Sequence, residues 1–501
     1  MSDRILTRRL SPLDAAFLYI ETPEAPLHLG GVDVFDGPIS REALVDRLAG
    51  RMDEIPRYRQ RVVPAALGLG HPFWEDAPDF DVRNHVLETT IRRPGDEAQL
   101  KASAARIFEP LLSRERPLWE LHLVHGLAGG QTAVVSKIHH AMVDGVSGAA
   151  LLDVLFDLTP EGQPTRTPAP VRPAGPPTPG GLLLETAWDA AADLLEAGSG
   201  VAGQIGQLLR GGGPRLGRAL EVAGELGRAA VEPVARLPFN RALTGARRLS
   251  WVTLSSAEAR RIRAARGGTL NDLVLAVIAD AVGRALRDGG EPTAGRRFRM
   301  LVPVNVRRED EFGQLGNRVS MVPVEAPFDA DPLARLVAVQ ARTARLKQAR
   351  IADAVEDLIS VAGLIPAPLY AAVLALAARP FVLTLSAPLR SLPPLTANVV
   401  CTNVPGPQVP LFSQGHRLVA HYPIVPLAFE LGLGFAIFSY DERLFIGLIA
   451  DGAAIDDLDP LARHVAQAFE DLRTAAGMPT IPPAPTGRPD RSRGTRADAD
   501  R

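Results

Sequence analysis

A chain of 501 residues is long enough to bury two or more domain-sized cores, and 46% hydrophobic against 22% charged residues supplies the apolar material for them. A formal net charge of -2 excludes a general basic nucleic-acid binder, and one cysteine, Cys401, excludes an intramolecular disulfide and a cysteine-based structural zinc site. The opening residues, MSDRILTRRLSPLDAAF, hold no apolar run of signal-peptide length, which predicts a cytoplasmic chain.

In chain order, the first predicted unit is an α/β segment over 1–160. Near its end TAVVSKIHH is rich in β-branched residues and follows Gly129 and Gly130, so it predicts a strand ending near His140. Leu151, Leu152, Leu155 and Leu158 then fall at helical spacing, giving strand, tight turn and helix. The prolines between Pro160 and Gly181 lack backbone donors and fix φ, which predicts a linker, followed by Ala/Leu/Gly-rich helical stretches to 245. A second α/β segment covers 246–478, and a polar, proline-bearing tail over 479–501 is expected to be disordered.

The stretch SKIHHAMVDGVSG concentrates the chemistry. Side chains alternate along a strand, so His139 and His140 point to opposite faces if the strand persists through both, and one alone can face a given cavity. Four readings compete. They are a pair of structural histidines, a metal site using His and Asp, a nucleophile elbow at Ser147, and a general base oriented by a turn containing Asp144. The metal reading lacks a further compact cluster of ligands. Ser147 serves equally well as a helix cap.

His139, His140, Asp144 and Gly145 match HHxxxDG, and the chain resembles the bacterial wax ester synthase/diacylglycerol acyltransferase family within the CoA-dependent acyltransferases. Further blocks in family order are LSPLDAAFLYIETPEAPLHLGGV from Leu10, PRYRQRVV from Pro56, RPLWELHLVHGL from Arg116, GGTLNDLVLAV from Gly267, PVNVRRED from Pro303, LGNRVS from Leu315 and TNVPGPQVPLF from Thr402. The resemblance implies an α/β fold of two similar halves, like chloramphenicol acetyltransferase, with a tunnel at their interface. It also implies His140 as the general base, His139 in support, no covalent acyl-enzyme and hence no nucleophilic role for Cys401 or Ser147. Asp144 and Gly145 then shape the turn, and Asp144 is expected to pair with an arginine of the second half. Arg307 is the candidate, since the period of two in LVPVNVR puts it on one face with Asn305.

Thr269 and Asp272 suit a capping box, which places Asn271 in the first turn of the helix through LVLAVIADAVGRAL. Asn271 either serves that cap or donates to an oxyanion; the family's ND motif favours the second. Where many relatives carry PVSVR this chain has Asn305, a second oxyanion candidate. The apolar run from Val361 is interrupted by Pro366, Pro368, Arg379 and Pro380, so it does not predict a spanning helix; it is either a buried core or a peripheral contact with a membrane or lipid droplet. The expected activity is transfer of a long-chain acyl group from acyl-CoA, as co-substrate, to diacylglycerol. A fatty alcohol as acceptor, or a non-catalytic lipid-binding relative, are the alternatives. No bound cofactor and no metal are expected.

Overall fold

The computed structural model describes residues 9–65, 70–142, 154–162, 234–305, 319–348, 368–372 and 397–478. Asp144, Gly145, Ser147, Arg307, the helical leucines Leu151 and Leu152, most of the proline-rich linker, most of the helical crossover, the tail and all but five residues of the apolar run from Val361 lie outside those residues.

Fourteen described strands form two six-stranded sheets and a two-stranded ribbon. The strands are β1 (His28–Phe35), β2 (Gln60–Val63), β3 (Phe73–Asp76), β4 (Val86–Thr90), β5 (Trp119–His125), β6 (Thr132–His139) and β7 (Arg247–Ser255). There follow β8 (Arg297–Asn305), β9 (Val319–Pro327), β10 (Val399–Pro405), β11 (Phe412–Ser413), β12 (His416–Ile424), β13 (Leu433–Tyr440) and β14 (Arg443–Asp451). The helices are α1 (Pro12–Ile20), α2 (Arg41–Ala49), α3 (Glu97–Phe108), α4 (Ser256–Arg266), α5 (Leu270–Asp288), α6 (Pro332–Gln348) and α7 (Asp459–Ala475).

One sheet runs β11-β12-β1-β6-β5-β4 and the other β7-β14-β13-β10-β8-β9, so each half of the mixed α/β fold has its own sheet. The central strands explain themselves. β13 and β14 are almost continuous apolar runs because both of their faces are covered, and β6 is buried along its whole length although Thr132, Ser136, Lys137 and His139 are polar. β11 and β12 belong by sequence to the C-terminal half, yet β12 pairs antiparallel with β1 and completes the first sheet. A strand passed between halves leaves little room where the chain crosses. A Cβ on Gly447 of β14 would stand 1.9 Å from the Pro423 carbonyl oxygen of β12, and one on Gly30 of β1 would stand 1.8 Å from the Ser136 carbonyl oxygen of β6. Glycine at both places lets backbone approach backbone.

The two cores reflect this sharing. The first joins Leu18, Val32, Phe108 and Trp119 to Trp251, Phe438 and Phe445 of the second half. The second packs α5, α7 and the helix-facing side of the second sheet, with Cys401 inside it. No described helix is both long and apolar enough to cross a membrane.

Candidate active site

The expected strand is β6, and it ends one residue earlier than the sequence suggests. His139 is its last residue, and His140 opens a one-turn 3-10 segment, His140–Met142. The two rings therefore diverge through a change of backbone path as well as through strand alternation. His139 is 1% exposed, while His140 is partly exposed.

The N-terminal block explains both environments. Ser11 caps α1, accepting from the Asp14 N–H at 3.1 Å, and Pro12 opens the helix. Phe17 lies in the last turns of α1 and Glu21, four residues on, is its C-cap. Phe17 stacks on the His140 ring, centroids 3.9 Å apart and planes inclined by 18°. Glu21 Oε1 lies 3.2 Å from His139 Nε2, and both side chains are almost wholly buried. On the other edge of His139 the Ala141 N–H donates to Nδ1 at 3.0 Å, so Nδ1 carries the lone pair and the ring proton of the neutral imidazole sits on Nε2, facing the carboxylate. His139 thus ties the turn bearing His140 to Glu21.

Glu21 is a hub. Its Oε1 accepts from the Leu27 N–H at 3.2 Å and its Oε2 from Arg114 at 3.0 Å. Burial pushes this carboxyl up, but His139, Arg114 and His28 outweigh burial and hold it at about 2. His28, the cross-strand partner of His139, is pushed down to about 3 by burial and by the neighbouring Lys137 ammonium. Lys137 itself is driven down to about 8 by burial, with Glu120 and Glu21 pulling the other way, and donates to the Pro110 carbonyl at 2.6 Å.

Burial pushes the His140 imidazole down to about 4; its own backbone carbonyl pulls it back up, and His139 lowers it further. The ring is therefore neutral near pH 7 and able to accept a proton. Its Nδ1 is buried without a well-formed hydrogen bond among the described residues. Cys401 is buried and its thiol is pushed far up by burial, so it is a core side chain and no nucleophile.

The second group of residues lies at the start of α5. The expected capping box is present, Thr269 Oγ1 accepting from the Asp272 N–H at 3.2 Å and Asp272 Oδ2 from the Thr269 N–H at 2.7 Å. Thr343 donates to the other Asp272 oxygen at 2.7 Å, which occupies that carboxylate fully with structure. Asn271 beside it is partly exposed and accepts from Asn403 Nδ2 at 3.3 Å. Asn305 ends β8.

Residues 10–274 match the model of the wax ester synthase/diacylglycerol acyltransferase catalytic domain, and residues 315–473 match that of the C-terminal domain of the same enzymes. The chain belongs to this family. It is 31% identical over 470 residues to a probable diacylglycerol O-acyltransferase of Mycobacterium tuberculosis, covering 92% of this chain and 95% of that one. A second such protein from that organism is 29% identical over 478 residues, covering 94% and 99%. Among solved structures, the wax ester synthase/diacylglycerol acyltransferase of Marinobacter aquaeolei VT8 superposes with a TM-score of 0.62 at 23% identity, over 94% of this chain and all (100%) of that one. The first condensation domain of the calcium-dependent antibiotic synthetase superposes with a TM-score of 0.56 at 14% identity, over 94% and 96%, which is a likeness of fold. The family member is an acyl-CoA-dependent O-acyltransferase, with the histidine pair of HHxxxDG at the end of β6.

Glu21, Phe17, His28 and Asn403 were not singled out by the sequence. All four lie inside quoted family blocks. The one available signal was the helical spacing of Phe17 and Glu21, since the contacts of His28 and Asn403 are made across a sheet and between distant elements.

Proposed function

We propose that this enzyme transfers a long-chain acyl group from acyl-CoA to the free hydroxyl of diacylglycerol, giving triacylglycerol. The observation that carries the reading is His140, a neutral, partly exposed imidazole fixed on Phe17 at the end of β6, in a chain whose relatives are named for this acceptor. His140 Nε2 takes the hydroxyl proton while the oxygen attacks the thioester carbonyl. The tetrahedral intermediate collapses with cleavage of the C–S bond, and the imidazolium returns its proton to the leaving thiolate as general acid. No acyl-enzyme forms. Asn271 donates to the oxyanion from the first turn of α5, where the helix adds positive potential; Asn305 at the end of β8 is the second candidate donor. His139 supports the turn. Asp144 and Gly145 are proposed to shape that turn, Asp144 by pairing with Arg307 of the second half, and the substrates to meet in a tunnel between the halves. Acyl-CoA is a co-substrate, and the protein works at a membrane or lipid-droplet surface, where its acceptor resides.

The test is thiol release by the purified protein given palmitoyl-CoA with diacylglycerol or, separately, with hexadecanol, the lipid products being separated and weighed. Triacylglycerol as the faster product supports the proposal. A preference for hexadecanol assigns wax ester synthesis, which the family also contains, and release of no thiol with either acceptor removes the catalytic reading.

A further inference from the structure

Asn271 and Asn403 are 132 residues apart in sequence and meet at one hydrogen bond. Their meeting follows from alternation along β10. Val399 and Cys401 pack into the core that contains Leu273 and Val274 of α5, whereas Val400 packs into the other core, so the odd-numbered side chains of β10 face the helix. Asn403 continues that series to the level of the helix start.

Among the described residues, β10 and β8 pair only through Val399 with Met300 and Val400 with Leu301, while β10 continues along β13 as far as Pro405. Asn403 therefore sits beyond the last β8 pair, beside the N-terminal turn of α5. The neighbouring Asp272 is already committed through both oxygens, to Thr269 and to Thr343. Asn271 is committed through one atom alone among the described residues, its Oδ1, which accepts from Asn403.

We propose that Asn403 is a positioning residue, which holds the Asn271 amide with its oxygen toward β10 and its NH2 group presented to the oxyanion. The inference rests on the assignment of Asn271 as an oxyanion donor. An amide without that partner turns over freely, and half of its orientations oppose a carbonyl oxygen to the developing negative charge.

The experiment measures kcat and KM for palmitoyl-CoA and diacylglycerol, with melting temperatures, in Asn271→Ala, Asn403→Asp, Asn403→Ala, Asn403→Gln and the double variant Asn271→Ala/Asn403→Asp. Loss of one oxyanion donor lowers kcat about 10²-fold, the expectation for Asn271→Ala. Asn403→Asp keeps the shape but can only accept, so it turns the Asn271 amide round; it should approach the loss of Asn271→Ala at unchanged KM and melting temperature. Asn403→Gln, which keeps the donor, should retain more kcat than Asn403→Ala. The double variant should be no slower than Asn271→Ala, because Asn403 acts only through Asn271. Wild-type kcat in Asn403→Asp, multiplied losses in the double variant, or losses that track melting temperature would overturn the inference and leave Asn271 its role. Should Asn403→Asp fail to fold, the order of Asn403→Gln and Asn403→Ala decides. Full kcat in Asn271→Ala would remove the underlying assignment and this inference with it.

Discussion

At the scale of single residues, His140 and His139 differ by what surrounds each ring. His140→Ala is expected to abolish thiol release in a folded protein, whereas His139→Ala retains part of it, since His139 acts through the turn; the opposite ranking would reverse the assignment. Glu21→Ala should resemble His139→Ala in activity and lose more stability. It leaves the buried Leu27 N–H without an acceptor, at about 1–3 kcal/mol for an unsatisfied group, and removes the carboxylate beside His139, measured by urea unfolding. The pH dependence has a definite sign. His140 is neutral above about 4, so kcat/KM should rise with pH through that region and then level off. For stability, His28 and His140 fall from 6.5 when unfolded to about 3 and about 4 when folded. Their contribution is complete above 6.5 and declines as pH falls toward those folded values. Glu21, lowered from 4.5 to about 2, adds a loss in the same direction below 4.5. Stability should thus drop steadily from pH 7 to pH 3, and His28→Gln should flatten the slope; an unchanged slope would mean that His28 is not held neutral.

Elements act by bringing those residues to one place. α1 serves the site because its cap, at Ser11, fixes where the helix starts and so which face carries Phe17, and its C-cap is Glu21. β1 serves it by holding His28 opposite His139, which demands close contact with β6 at Gly30. Gly30→Ala puts a Cβ 1.8 Å from a backbone oxygen that cannot rotate away, so β1 must shift against β6. We expect a loss of roughly 3 kcal/mol or more in unfolding free energy, and a larger fall in activity than in helix content by circular dichroism. A variant as stable as the parent would show that the two strands are not so tightly registered. The start of α5 works in the same way. The capping box needs Asp272 for structure, which leaves Asn271 as the member of the ND pair proposed as oxyanion donor.

The whole molecule is held together by strand exchange and by a small number of buried charges. β12 lies in the first sheet, where His421 Nδ1 meets Asp33 Oδ1 at 2.6 Å, and its neighbour β14 stays in the second. Arg247 is a further joint. Its guanidinium meets Asp451 at 3.2 Å, both almost fully buried, and also donates to the Glu24 carbonyl at 2.9 Å, while its backbone N–H donates to Glu109 at 3.0 Å. One residue of the second half thus grips two loops of the first. Arg247→Ala should cost on the order of 3–5 kcal/mol, because the Asp451 carboxylate is left buried without its cation, and Asp451→Asn in the same chain should recover part of that. Calorimetry should show one transition in the parent and separated transitions for the two halves in Arg247→Ala. Strict additivity in the cycle, or an unsplit transition, would show that the joint is elsewhere.

The sequence by itself determined what is local or periodic. The β-branched run ending at His139, the cap at Thr269, the α/β class and the ordered motifs that name the family are written in neighbouring residues, where hydrogen-bond geometry and side-chain alternation act over a few positions. Tertiary structure alone decided that Glu21 belongs to His139, that Asn403 holds Asn271, and that a strand from beyond residue 410 completes the first sheet. The physical reason is common to all three. A buried carboxylate, amide or strand edge must find its partner somewhere, but the chain records only the need, and which distant group satisfies it depends on how the two sheets pack.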